Sequence, residues 1–397
     1  MMTLIKQKMT WIGIAAVLMV VIVFGAAMLG SVLDVMPKDL PVALVVADQA
    51  ASFSTGEELA VGKLLQQSLT SHRELPVTWI VIGSEVEARA GLNEHKYYGA
   101  LVLPEDMSRG VLSLVSASPQ PPTVKVLVNE GMNVQASTVV RQLLGQVMRE
   151  EGKELSTQLL SQIGLASGEI PVDAAKALLS PLVVQEETIH NVGVNNGSGN
   201  APGFLIQIMW MGSLATGFVL FLGSRKSKVA GASGSVAAMM QALMGVAITG
   251  LASGLLTWMA SSWYGMELRQ LTDTWLFLWL VGSAFFALQS SFLNWIGFPA
   301  MGILILLMFF SMPILNMAPE MLSHVSRFWL YSWTPLRFAA SGLREVMYFG
   351  GLHAVSSNAA VLWSIGGVFI ALLLASGLKK PLGAAKAKSV ADLSHKL

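Results

Sequence analysis

Six histidines stand at positions 72, 95, 190, 324, 353 and 395, and none forms an HxH or HxxxH pair. Such a pair is what would place two imidazoles on one metal ion. The chain has no cysteine, so disulfides, thiolate catalysis and cysteine-ligated metals are excluded. "GEELAVGKL" (Gly56 to Leu64) approximates a phosphate-binding loop, but five residues separate its glycines, where the motif has four. Leu64 also stands where Ser or Thr must hold magnesium, so the stretch reads as an amphipathic helix. No Ser/His/Asp arrangement can be singled out. The expectation is a chain that is not an enzyme and carries no cofactor, no metal and no catalytic residue.

The remaining polar groups that could act lie in apolar surroundings. "PEMLSHVSRFWLYSWTPLRFAASGLREVMYFGG" (319 to 351) is too charged to span a bilayer yet rich in the aromatic types that favour the membrane–water interface. It reads as interfacial or re-entrant helices that cap the bundle. Arg337, Arg344 and Glu345 there could bind a headgroup or substrate, or could be salt bridges holding the cap. Gly250 and Gly254 stand four apart, and Gly245, Thr249 and Ser253 make a second row of small residues beside them. Small rows let membrane helices approach closely, so these five residues are read as packing positions, with a substrate path as the alternative. Gln207, Gln241 and Gln289 are the polar side chains nearest the hydrocarbon.

The elements that position these groups follow from hydropathy. The 397 residues are 53% hydrophobic and 12% charged, with a net charge of +1 and a mean hydropathy of +0.60. Soluble domains carry about a quarter charged residues, and a nucleic-acid partner would want a basic face. Runs long enough to cross about 30 Å of hydrocarbon are read at 11–33, 204–223, 236–258, 275–292, 298–312 and 358–378, making six. Lys6 and Lys8, then Arg225, Lys226 and Lys228, then Lys379, Lys380, Lys386 and Lys388 all fall on one side of a six-span chain. By the positive-inside rule both termini are cytoplasmic. The first run is read as an uncleaved anchor, its apolar core exceeding that of a signal peptide. No span carries a central Asp, Glu, Lys or Arg, which argues against an ion-coupled pump.

The long segment 37–200 falls on the outer side. "LPVALVVAD", "LPVTWIVI", "YYGALVLP" and "TVKVLVNE" read as strands, alternating with helices at 56–70, 85–94 and 105–114. That alternation predicts an α/β layer with a partly parallel sheet, expected to fold alone. A longer helix follows Asn133, with Val140, Leu143, Leu144, Val147 and Met148 on one face, and 181–192 reads as a late strand. "NNGSGNAP" then leads into the second span, with Gly197, Gly199 and Pro202 as a domain–membrane hinge. The predicted architecture is a membrane α-helical bundle of six transmembrane helices with an extracytoplasmic α/β domain inserted between helices 1 and 2. The regions are 1–36 (N-terminus and first helix), 37–200 (α/β domain), 201–380 (five-helix domain with the cap at 319–351) and 381–397 (cytoplasmic tail).

Four stretches carry a family resemblance. "YYGALVLPEDMS", "VNEGMN", "NNGSGNAPGFLIQIMWMGSL" and "TPLRFAASGLREVMYFGG", in that order on this topology, resemble ABC-2-type membrane proteins, particularly the phage infection protein (YhgE/Pip) branch. The resemblance implies a cell-membrane component with a transport, secretion or receptor role. Its expected partners are the lipid bilayer, a second copy or related chain in a homodimer or heterodimer, and a separate ATPase subunit, with no nucleic acid. Two features depart from ATPase-driven permeases: only Met1 to Thr10 precedes the first span, and "SRKSKVAGASGS" between spans two and three has no acidic coupling residue. The readings are therefore a permease subunit exporting an amphiphilic or lipid-like substrate, a non-transporting surface protein (secretion scaffold or phage receptor), or a secondary transporter.

Overall fold

The computed structural model describes residues 37–52, 58–71, 75–166, 171–355 and 357–379. The first predicted span and the cytoplasmic tail lie outside the described residues. The chain divides into two compact units, one running to Gly199 and including Asn316–Ser332, the other containing Asn200–Leu315 and the residues from Trp333 onward.

The first unit is built on five strands: β1 (Leu40–Val46), β2 (Val77–Ile82), β3 (Gly99–Leu103), β4 (Thr123–Asn129) and β5 (Val183–Ile189). Their order in the sheet is β2-β1-β3-β4-β5. β1 is parallel to both β2 and β3, β4 is antiparallel to β3, and β5 is parallel to β4. Helices α1 (Val61–Ser71), α2 (Glu85–Asn93), α3 (Met107–Ser113), α4 (Val134–Ala166) and α5 (Val172–Leu179) connect and cover them. Alternation along β1 sends Leu40, Val42 and Leu44 to a core with α1, α3 and α4, and Ala43 and Val45 to a second core with Ala88 and Leu92 of α2. Covering on both faces explains why β1 and β3 read as unbroken apolar runs.

Two expectations shift here. The helix predicted from Gly56 begins at Val61, after a two-residue strand at Glu58–Leu59. The helix α5 had no counterpart in the sequence reading; it buries only Ala174 and Leu178, too few apolar positions for a periodic signal.

The crevice at the carboxyl ends of β1 and β3, where the strand order reverses, is the usual ligand position of such sheets. Here the chain fills it. Asp48 accepts from the amides of Gly62 (2.8 Å) and Ser108 (2.8 Å) and from the Ser108 hydroxyl (2.6 Å), and Ser108 Oγ accepts from Val61 N (2.9 Å). A carboxylate thus satisfies amides at the starts of α1 and α3, groups that have no partner within their own helices.

The second unit contains α6 (Ala201–Val229), α7 (Gly234–Ser262), α8 (Leu271–Ile296), α9 (Pro299–Leu315), α10 (Pro335–Tyr348) and α11 (Ser357–Ala375). By length and composition four helical stretches suffice to cross a membrane: Ala201–Val229, Gly234–Ser262, Leu271–Ile296 and Ser357–Leu378. The predicted fifth span is the 17-residue α9, with Pro313 in its last turn. At 1.5 Å per residue it reaches about 25 Å, short of a typical hydrocarbon core. Four candidate spans are thus found among the described residues, with α9 as a shorter apolar helix beside them. Polar contacts knit the helices: Ser213 Oγ donates to Gly282 O (3.0 Å), Gln289 Nε2 to Trp210 O (3.2 Å), and Asn294 Nδ2 to Gln241 Oε1 (3.1 Å) and Ser376 Oγ (2.9 Å).

The predicted cap divides between the units. Asn316–Ser332 belongs to the α/β unit, where Ala318 and Met321 enter the core and Tyr98 Oη donates to Glu320 Oε2 at 2.6 Å. The amphipathic helix α10 belongs to the membrane unit.

Candidate functional site

Trp275 and Trp279 sit one turn apart on α8, their rings stacked at 6.1 Å and 10°. Each indole reaches α7 as a donor: Trp279 Nε1 to Val246 O at 2.8 Å and Trp275 Nε1 to Gly250 O at 3.1 Å. The predicted glycine row is what lets them in. A Cβ on Gly250 would stand 2.7 Å from Trp279 Cε2, one on Gly254 3.1 Å from Trp275 Nε1, and one on Gly245 would overlap the ring of Phe286. Thr249 Oγ1 meets Ser283 Oγ at 3.2 Å, and Ser253 Oγ donates to Gly250 O at 2.9 Å. Aromatic rings of α8 thus occupy the space above Gly245, Gly250 and Gly254. Gly250 leaves little room even for Ala, because its neighbour is a ring fixed by a hydrogen bond.

Beyond the Trp279 ring lies a cavity of about 750 Å3 bounded by α7, α8 and α11. Val246, Trp279, Ser283, Ala359, Trp363 and Gly367 are among its walls, and none of the described residues lining it is charged. Among the described residues nothing lies within 4 Å of the Cβ direction of Gly367. A space of this size and polarity suits an acyl chain or similar apolar moiety. The sequence reading missed this wall. Its available signal was the pair Gly366–Gly367 in a span otherwise rich in Leu, Val and Ile.

The three charged candidates lie on α10. Arg344 Nη2 donates to Leu315 O (3.2 Å), closing the end of α9, while Glu345 Oε1 accepts from Asn358 Nδ2 (2.8 Å). Burial pushes the Glu345 carboxyl up to about 7, opposed by the Asn358 bond and the Arg344 charge. Arg337 places its guanidinium 4.0 Å from the Phe338 ring centroid. No ion pair among the described residues joins these three. The hinge residues occupy a run of left-handed turns: Asn195, Gly197, Ser198 and Gly199 all have positive φ, Asn196 is buried, and Pro202 lies in the first turn of α6.

Comparison with protein-family models matches residues 8–375 to "ABC-2 family transporter protein". The chain belongs to the ABC-2 transporter family. Among curated proteins it resembles the "Uncharacterized protein YhgE" of Bacillus subtilis (strain 168), 24% identical over 157 residues, which is 39% of this chain and 20% of that protein. The chain thus spans about a fifth of that relative's length. No solved structure matches.

In this ABC-2 family member the stretches that carry the resemblance have structural tasks. Asn129 Nδ2 donates to Leu92 O (2.8 Å), tying the end of β4 to α2, and Asn133 Oδ1 accepts from Ala136 N (3.0 Å) at the start of α4. Asn133 Nδ2 donates to Asn316 O (3.0 Å), holding the returning segment. In "YYGALVL", Gly99 is required: a Cβ there would come 2.7 Å from Leu127 O. In "TPLRFAASGLREVMYFGG", Gly342 meets the Phe277 ring, and Asp273 Oδ2 accepts from Leu352 N (3.0 Å) just after the paired glycines.

Proposed function

We propose that this chain is the permease component of an exporter for an amphiphilic or lipid-like substrate, driven by a separate ATPase subunit. The observation that carries this is a half-open cavity of about 750 Å3 on the membrane unit, whose described walls on α7, α8 and α11 carry no charge. Its lining offers burial to a hydrocarbon moiety and no partner to an ion. ABC-2 permeases usually work with a separate ATPase, and this chain has no nucleotide motif of its own. In this reading the run 11–33 and the helix α9 complete six crossings, both termini are cytoplasmic, and the α/β unit is extracytoplasmic. A homodimer or heterodimer is the expected assembly.

Gly367→Trp tests the cavity, since its side chain would enter open space. The full chain is reconstituted in nanodiscs together with whichever ATPase subunit co-purifies with it. ATP hydrolysis should rise with lysophospholipids or alkyl sulfates, and Gly367→Trp should abolish that rise while the complex stays intact. Topology is read separately with single cysteines: Ser227→Cys should resist an impermeant thiol reagent in intact cells, and Ser118→Cys should react.

One observation favours the second reading, a non-transporting scaffold or phage receptor. The connection from α6 to α7 contains only residues 230–233, with no acidic group for an ATPase to grip. Failure of any ATPase to co-purify, with hydrolysis insensitive to amphiphiles, would favour it.

A further inference from the structure

A second cavity of the membrane unit, about 840 Å3, opens where α6, α8 and α11 end and α7 begins. Three of its lining residues are cationic: Arg225, Lys228 and Lys379. Arg225 and Lys228 are three positions apart and so share one face of α6. None of the described lining residues is acidic, and no carboxylate among the described residues pairs with any of the three cations. They lean on other groups. The Arg225 guanidinium lies 5.6 Å from the Phe221 ring centroid and 6.0 Å from that of Phe298, and Lys379 Nζ lies 4.9 Å from the Trp295 ring and donates to Trp295 O at 3.3 Å.

The cavity has a built frame. A Cβ on Gly377 would come 2.7 Å from Gly234 O, so the turn after α11 and the first residue of α7 meet backbone to backbone. Asn294 ties that turn to α7 by donating to Ser376 and Gln241. The cations are thus gathered by packed helix ends, and like charges held together in this way favour an anion between them.

We propose that this cavity binds the anionic headgroup of a membrane phospholipid, its phosphodiester held by Arg225, Lys228 and Lys379. Basic pockets between transmembrane helices are suited to such headgroups. Here Phe221, Leu293, Ile296 and Leu378 supply an apolar wall, and Trp295 is a residue type that favours the headgroup level. That combination fits a lipid better than free phosphate, which has no use for the apolar wall. The proposal needs only the membrane unit and holds whether or not the chain transports.

The test uses the delipidated full chain in a neutral detergent. Native mass spectrometry titrates phosphatidylglycerol, phosphatidylcholine of the same acyl chains, and inorganic phosphate. Phosphatidylglycerol should bind, and the triple variant Arg225→Gln/Lys228→Gln/Lys379→Gln should weaken it more than about tenfold. Lys226→Gln, on the same helix but outside the cavity, should leave it unchanged. Phosphatidylcholine should bind weakly and equally to all variants. Should the triple variant aggregate, Lys228→Gln and Lys379→Gln are measured singly, each expected to weaken binding about fivefold. The proposal is overturned if the variants bind phosphatidylglycerol as wild type does, or if Lys226→Gln weakens it as much. Phosphate competing as well as phosphatidylglycerol would overturn the lipid as occupant.

Discussion

The indole of Trp279 fills the space above Gly250 and donates to Val246 O one turn away, at 2.8 Å. Glycine and tryptophan are thus one fitted contact between α7 and α8. Gly250→Leu should lower stability in detergent by about 1–3 kcal/mol through overpacking, and Gly250→Ala should also be felt. Gly254→Ala should be milder, since its neighbour need give only slightly. Trp279→Phe, which keeps an aromatic ring but loses the donor and the pyrrole atoms over Gly250, should cost at least about 1 kcal/mol. Thermal unfolding in one detergent ranks the four, and Gly250→Leu matching wild type would refute a close contact.

Asp48 accepts from two main-chain amides and one hydroxyl. Asp48→Ala leaves those donors without their acceptor, and hydrogen bonds to a charged group are each worth about 1.5–3 kcal/mol. A loss of at least about 3 kcal/mol is expected, with Asp48→Asn recovering part of it. Urea unfolding of the α/β unit measures the difference, and an unchanged midpoint would show the crevice to be dispensable.

The isolated segment 37–199 lacks Asn316–Ser332. Joining that segment by a flexible linker should stabilise it by about 2–4 kcal/mol, because Met321 and Ala318 fill core positions. Tyr98→Phe should remove about 1–2 kcal/mol of stability, but only when Glu320 is present to accept. Equal stability of the two fragments would remove the segment from the domain.

Two groups give opposite pH dependences. Burial, with the nearby His190 charge second, lowers His95 below 6.5, so the unfolded chain takes up its proton first. The stability of the α/β unit should therefore fall as pH drops through 6.5. Glu345 is raised from 4.5 to about 7; the folded state holds its proton longer, so the membrane unit should lose stability as pH rises from about 4.5 to 7. His95→Gln and Glu345→Gln should flatten the respective profiles, read by thermal unfolding of the fragment and of the full chain.

How much of this was legible depended on whether a signal was periodic. β1, β3 and β4 announced themselves as short apolar runs between turn residues, and α4 by the spacing of Val140, Leu144 and Val147. The glycine row was visible at a spacing of four, whereas its complement, Trp275 and Trp279 on α8, was not read, because spacing alone does not say which helix faces which. The start of α1 was misplaced because the helical pattern runs back through Glu58 without a cap residue. The cavity was not legible, since it is bounded by three helices whose relative rotation no single segment encodes. The split of the cap was hidden for a related reason: Tyr98 and Glu320 lie far apart in the chain.

The return of Asn316–Ser332 to the α/β unit fixes an order of events during synthesis. A ribosome moving at about 5–20 residues per second emits that segment on the order of ten seconds after Gly199. Through that interval the nascent domain has its whole sheet but not Met321 or the acceptor for Tyr98, so it waits unfinished while α6 to α9 are made. Maturation of the domain is therefore tied to how far insertion of the helices has progressed.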